Sequence, residues 1–221
     1  GGLDHIEASA EEIEYLCEGA SRFFRQPVTP AAVVWTYSGV RPLIDDGSGR
    51  PEAATRGYTL ELSDESEGAP LLSVFGGKIT TYRHLAQEAV NQLMPRLPQL
   101  AGRDWTDLTP LPGGDFPPGN AAGKVAELAA RYRFLEPDWA DRLLHAYGTR
   151  AWGMLGDAQS IEDCGTDFGH GLTQREVDFL VAQEWAMTAE DILWRRSKLG
   201  LRFTTQEAAR LSDYLKEKAS T

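Results

Sequence analysis

A stretch rich in proline and glycine, residues 105–119, divides the chain into two parts whose hydrophobic patterns differ. It contains Leu111-Pro112-Gly113-Gly114 and Phe116-Pro117-Pro118-Gly119, which suit neither a helix interior nor a central strand. Before this stretch, β-branched and alternating runs are mixed with helical periodicity. After it, apolar residues recur only at helical spacing. We therefore predict an α+β fold, with a mixed part at residues 1–100 and an all-helical part at residues 101–221.

The mixed part begins with a clearly marked helix. Ser9 and Glu12 fit a capping box, apolar residues follow at helical spacing, and Pro27 ends the pattern. Runs rich in β-branched and aromatic residues come next. They predict strands at residues 33–40, 58–62 and 71–75, and a helix is predicted at residues 80–93. In the second part we predict helices at residues 121–132, 137–147, 173–186 and 188–196, and a last helix from Thr204 or Thr205 to residue 216.

Composition excludes several classes of function. The net charge is -11, and both parts are acidic, which argues against binding to nucleic acid because such binding depends on cations that neutralise phosphates. The two cysteines, Cys17 and Cys164, are far apart and predict neither a disulfide framework nor a zinc site. No histidine has a partner at metal-ligand spacing. No apolar run reaches the roughly 18 residues that a membrane span needs.

The clearest chemical signal is the sequence Gly76-Gly77-Lys78-Ile79-Thr80, between a predicted strand and a predicted helix. Two glycines allow a ligand to approach the backbone closely. The free N–H groups and positive dipole end of the helix, together with the charge of Lys78, favour an anion or an electron-rich oxygen. The same residues are equally consistent with an ordinary tight turn in which a threonine caps the helix.

Two arginines lie next to predicted strands. Arg41 precedes a proline, and Arg56 precedes Gly57 and the strand at residues 58–62. On neighbouring strands they could clamp a phosphate through bidentate hydrogen bonds. The alternative from the residues alone is that both are surface arginines paired with nearby acids such as Asp45, Asp46 or Glu61.

Together these motifs resemble one family. The segments at residues 34–43, 55–58 and 72–83 are similar, in order and spacing, to the aerobic FAD-dependent glycerol-3-phosphate dehydrogenases. The helical part also matches, at residues 111–114, 167–170 and 193–200 for example. The resemblance covers essentially the whole chain and corresponds to about the C-terminal two-fifths of a family member.

The resemblance implies roles for these residues. Arg41 and Arg56 would bind the phosphate of glycerol 3-phosphate. Gly76, Gly77, Lys78, Ile79 and Thr80 would lie against the isoalloxazine of FAD. The family oxidises glycerol 3-phosphate to dihydroxyacetone phosphate and passes the electrons to quinone. The resemblance also implies a cytoplasmic enzyme that associates peripherally with the inner face of the cytoplasmic membrane. Whether the enzyme forms a homodimer is left open. The resemblance assigns no catalytic base within this chain.

The family's GxGxxG sequence, which binds the FAD pyrophosphate, does not occur here. We therefore expect the chain to be a fragment that is inactive without the N-terminal half. Residues 1–100 would then be the end of the FAD- and substrate-binding domain, and residues 101–221 a helical C-terminal domain. The alternative is a self-contained helical binding or dimerisation module without catalytic activity.

Overall fold

A computed structural model describes residues 6–40, 57–63, 68–100 and 102–219. The chain divides into two compact units, Gly1–Thr109 and Pro110–Thr221, with the boundary inside the stretch rich in proline and glycine. Helices dominate the described residues, together with two small antiparallel pairs of strands. The α+β class predicted from the sequence is confirmed.

The first unit opens with helix α1, Ala10–Ser21. Its predicted capping box is present: the Glu12 amide donates to Ser9 Oγ at 3.2 Å, and the Ser9 amide donates to Glu12 Oε2 at 2.8 Å. At the other end, the Ser21 hydroxyl donates to the Cys17 carbonyl at 2.7 Å and accepts from the Val28 amide at 2.9 Å. These bonds fix how the chain leaves the helix.

The first sheet consists of β1, Tyr58–Leu62, and β2, Leu72–Gly76, paired antiparallel with Tyr58 opposite Gly76. A short 3-10 turn, Ile79–Thr81, leads into helix α2, Tyr82–Leu93. The strands predicted at residues 58–62 and 71–75 and the helix predicted at residues 80–93 are confirmed to within two residues. The sheet and helix are joined by the Gly76–Gly77 turn.

The predicted strand at residues 33–40 is wrong. The structure forms a 3-10 turn at Pro30–Ala32, and residues 33–40 belong to no strand. Val33 has extended dihedral angles, but extended backbone alone is not a strand, and the strand pairings of the described residues do not include residues 33–40. Val34 and Tyr37 are consequently exposed.

Burial differs between the units. Among the described hydrophobic residues of the first unit, only Cys17 is buried, whereas Phe23, Val34 and Ile79 are each more than 80% exposed. The second unit has a continuous core to which all of its long helices contribute. Its most buried side chains include Leu128, Leu143, Leu155, Phe168, Leu172, Leu180, Ile192 and Leu211. The second unit is therefore the part with its own hydrophobic core.

The helices of the second unit include the five predicted segments in their predicted order, and one short helix, Arg150–Leu155, that was not predicted. They are α3, Ala121–Arg131; α4, Pro137–Tyr147; α5, Arg150–Leu155; α6, Gln174–Glu184; a π-helical turn, Asp191–Arg196; and α7, Thr205–Ala219. One feature differs from the all-helical expectation. The strands β3, Asp167–Gly169, and β4, Leu172–Thr173, form a small hairpin. Its turn residues His170 and Gly171 both have positive φ, as a two-residue turn that matches strand twist requires.

A buried charged network joins helices α4 and α6. Glu176 is 1% exposed, and its two carboxylate oxygens accept from Arg142 at 2.6 and 2.7 Å. The Tyr147 hydroxyl donates to the same carboxylate at 2.6 Å, and Arg142 also donates to the Gly171 carbonyl. Burial, followed by the charge of Glu176, raises the pKa of Tyr147, so its hydroxyl stays protonated as a donor.

Within the described ranges, no helix has the length and apolar character needed to cross a bilayer.

Candidate functional site

The candidate site is the turn between β2 and α2. Gly76 and Gly77 have φ of 71° and 103°, in the region that favours glycine. The Gly77 amide donates to the Gly57 carbonyl at 2.9 Å, which ties the turn to the start of β1. A Cβ on Gly77 would lie 3.3 Å from Leu85 Cδ1 and 3.5 Å from Tyr58 Cβ. Glycine is therefore favoured at position 77 chiefly by its dihedral angle, and a Cβ there would also press on Leu85.

Lys78 follows the two glycines, and Thr81 holds its backbone. The Thr81 hydroxyl donates to the Lys78 carbonyl at 2.9 Å, and the Thr81 amide donates to the same oxygen at 3.0 Å. The Lys78 amide also points at Thr81 Oγ1, at a longer 3.4 Å. The possibility that a threonine caps the helix in the ordinary way is not realised by Thr81, whose hydroxyl turns back to Lys78 instead of forward to α2.

The positive groups at this turn are open. The side chains of Lys78, Ile79 and Thr80 are exposed, and Ile79 is 84% exposed. Within the described residues, the amide N–H groups of Ile79 and Thr80 have no hydrogen-bond acceptor, and the Lys78 ammonium forms no salt bridge. The turn thus presents one full positive charge and two backbone donors from three consecutive residues. This arrangement suits an oxygen that carries negative charge.

A longer-range contact fixes the sheet against the helix. The Tyr58 hydroxyl donates to Glu88 Oε2 on α2 at 2.7 Å. That hydrogen bond, together with burial and the charge of Glu88, raises the pKa of Tyr58. Because Tyr58 lies opposite Gly76 and beside Gly77, this contact fixes both sides of the turn.

Of the residues predicted for the site, the structure places Gly76, Gly77, Lys78, Ile79 and Thr80 together in one turn. Arg41 and Arg56 lie outside the described residues, and their roles remain predictions. Arg56 is the residue before Gly57, whose carbonyl bonds to Gly77.

Sequence reasoning missed the supporting residues Tyr58, Leu85 and Glu88. Tyr58 and Glu88 are 30 positions apart, and only the strand register and the angle of α2 bring them together. Thr81 lies within the family-like segment 72–83, next to the glycine motif, but the direction of its hydroxyl cannot be read from the sequence.

The chain thus consists of an α+β unit with an open glycine turn, followed in sequence by a mostly helical unit. Residues 105–217 match the family described as the C-terminal domain of alpha-glycerophosphate oxidase, and the chain belongs to this family. It is 46% identical over 210 residues to the glycerol-3-phosphate dehydrogenase of Pseudomonas aeruginosa, covering 95% of this chain and 41% of that protein.

Two further relatives show the same pattern. The aerobic glycerol-3-phosphate dehydrogenase of Escherichia coli is 42% identical, over 96% of this chain and 42% of that protein. The D-erythritol 1-phosphate dehydrogenase of Brucella abortus is also 42% identical, over 95% of this chain and 41% of that protein. The chain therefore spans about two-fifths of the length of these relatives, and it matches their C-terminal part. The resemblance recognised in the sequence is confirmed.

Proposed function

We propose that this chain forms the C-terminal part of an FAD-dependent glycerol-3-phosphate dehydrogenase. The complete enzyme would oxidise the C2 hydroxyl of glycerol 3-phosphate to give dihydroxyacetone phosphate, and the electrons would pass to quinone. The observation that carries this proposal is the Gly76–Gly77 turn, with Lys78 and two open N–H groups beside it. The names and identities of the relatives support the same activity.

The residues of the turn fit the pyrimidine edge of a flavin. The positive φ values of Gly76 and Gly77 shape the turn, and the two open amides that follow it can donate to a ring oxygen. When bound, FAD would supply the acceptor for the hydride from C2 of the substrate. Lys78 and the start of α2 would stabilise the negative charge that develops at that edge. A charge-assisted hydrogen bond of this kind contributes about 1.5–3 kcal/mol.

Arg41 and Arg56 would hold the substrate phosphate. A guanidinium matches two phosphate oxygens with two parallel N–H groups, which a lysine cannot reproduce. The position of Arg56 in the chain supports this role, because the next residue, Gly57, is bonded to the glycine turn. The substrate would then be held beside the flavin.

The rest of the enzyme would come from residues that precede this part in the relatives. They would supply the sequence that binds the FAD pyrophosphate, and the surrounding strands would cover the apolar residues that the first unit exposes. We propose residues 1–100 as the end of the FAD- and substrate-binding domain and residues 101–221 as the helical C-terminal domain. Peripheral association with the inner face of the cytoplasmic membrane would give access to quinone, and a homodimer remains compatible with this arrangement.

The proposal is tested by kinetics of the full-length polypeptide supplied with FAD. We expect reduction of a quinone analogue that depends on glycerol 3-phosphate, and none from the 221-residue chain alone. Arg41→Ala and Arg56→Ala should each lower kcat/KM about 10–100-fold, as loss of one charge-assisted contact implies. Arg41→Lys should also impair it, whereas Arg25→Ala, a change at an exposed arginine of the same unit, should not.

Several results would contradict the proposal. Wild-type kinetics in both Arg41→Ala and Arg56→Ala would show that these arginines do not bind the substrate phosphate. A full-length polypeptide with no turnover on any phosphorylated polyol would favour the helical binding module instead. Turnover of D-erythritol 1-phosphate but not of glycerol 3-phosphate would keep the chemistry and correct the substrate, since one relative carries that name.

A further inference from the structure

We propose that Thr81 is a positioning residue for the flavin-facing turn: its hydroxyl orients the Lys78–Ile79 peptide so that the Ile79 N–H points towards the cofactor. This inference rests on the proposed function, because the flavin is the group that would receive the N–H. Thr81 itself would not touch the flavin.

Two hydrogen bonds from Thr81 hold the Lys78 carbonyl. This oxygen accepts from both the Thr81 amide at 3.0 Å and the Thr81 hydroxyl at 2.9 Å. A threonine at the start of a helix normally uses its oxygen to accept from an amide in the first turn. Thr81 has no such cap bond, and its backbone lies at φ -104° and ψ 5°, away from the extended conformation of an ordinary cap.

The planarity of the peptide sets the direction of the Ile79 N–H. The group between Lys78 and Ile79 is planar and trans, so its C=O and its N–H point in opposite directions. Two donors from Thr81 pull the Lys78 carbonyl towards the helix. The Ile79 N–H must therefore point away from the helix, which agrees with the finding that it has no acceptor among the described residues.

The Thr81 hydroxyl acts through Lys78 and does not bind the ligand directly. The Thr81 side chain is only partly exposed, and its hydroxyl hydrogen is already donated to Lys78. It is therefore unavailable as a donor to a ligand. The exposed groups are those of Lys78, Ile79 and Thr80. Without the hydroxyl, one of the two bonds that hold the peptide would be lost, and water could take its place at the carbonyl.

The test uses the full-length flavoprotein and the affinity of its oxidised flavin for sulfite. Sulfite adds to the ring through sulfur and leaves negative charge on the pyrimidine edge, so its Kd reports the donors and cations beside that edge. Thr81→Val keeps the shape and removes the hydroxyl, and we expect sulfite to bind about tenfold more weakly, as loss of one well-aligned charge-assisted donor implies. Thr81→Ser restores the hydroxyl and should bind sulfite as the wild type does.

A matched control comes from the same unit. The Thr109 hydroxyl donates to the Trp105 carbonyl at 3.1 Å, so Thr109→Val removes a similar bond away from the turn. It should leave the sulfite Kd unchanged. In steady-state kinetics, Thr81→Val should lower kcat and leave KM for glycerol 3-phosphate unaltered, because Thr81 is not proposed to contact the phosphate.

The inference is overturned if Thr81→Val binds sulfite as the wild type does, or if Thr81→Ser is as weak as Thr81→Val. If the wild-type protein holds FAD and oxidises glycerol 3-phosphate, either of these results in the variants would leave the proposed function intact. A wild-type polypeptide that holds no flavin would overturn both, and this would be seen before any variant is compared.

Discussion

Arg142→Ala should be among the most destabilising single changes in the second unit. Glu176, which is 1% exposed, accepts three hydrogen bonds, two from Arg142 and one from the Tyr147 hydroxyl. The substitution would remove the two from Arg142 and leave the one from Tyr147. Removing one partner of a buried ion pair costs about 3–5 kcal/mol, because the remaining charge stays buried. For a unit the size of Pro110–Thr221, this corresponds to a fall in Tm of roughly 12–20 °C. Arg142→Lys keeps the charge but loses the fork, and its effect should lie between those of the alanine variant and the wild type.

The assay is thermal and urea unfolding of the 221-residue chain and its variants, followed by circular dichroism. Lys216→Ala is the matched control, because the Lys216–Asp213 pair, at 3.0 Å, is about 70% exposed at both ends. Exposed pairs of this kind contribute about 0–1 kcal/mol. If Arg142→Ala and Lys216→Ala had the same effect to within about 1 kcal/mol, the reasoning about the buried network would be refuted.

Three further results are expected. Backbone N–H groups at residues 159 and 160 lower the pKa of Asp163. The contribution of Asp163 to stability is therefore complete above its ordinary pKa and is lost as the pH falls through the lowered pKa. The Tm should decline below about pH 4, and less so in Asp163→Asn; a Tm independent of pH would contradict this expectation. Gly77→Ala should reduce the FAD content of the full-length protein, whereas Gly19→Ala, with open space around it, should not; equal FAD content would show that the turn tolerates a Cβ. Expressed alone, residues 110–221 should melt cooperatively and residues 1–109 should not; the reverse outcome in circular dichroism and size-exclusion chromatography would show that the core has been assigned to the wrong unit.

Features with local signals could be predicted from the sequence. The capping box of Ser9 and Glu12 starts α1 as expected, and α4, Pro137–Tyr147, agrees with its prediction at both ends. Thr188 accepts a hydrogen bond from the Asp191 amide at the start of the helical segment that includes Asp191–Arg196, which is predicted at residues 188–196. The glycine turn is also predictable, because two glycines between a strand and a helix can adopt the positive φ values that a tight turn needs.

Features that depend on distant residues could not be predicted. The composition of residues 33–40 favours a strand, but a strand forms only where another one pairs with it. The hairpin with His170 and Gly171 at its turn has strands too short for an alternating pattern to show. The partners Arg142 and Glu176 are 34 positions apart, and nothing local in either helix indicates that they meet.

The most direct test of the central claim is an anaerobic titration of the full-length protein, reconstituted with FAD, with glycerol 3-phosphate. The visible absorbance of the flavin should bleach on addition of glycerol 3-phosphate and should not bleach with the same concentration of glycerol, which lacks the phosphate for Arg41 and Arg56. A protein that stays colourless in the presence of FAD, or a bound flavin that glycerol 3-phosphate leaves oxidised, would contradict the account.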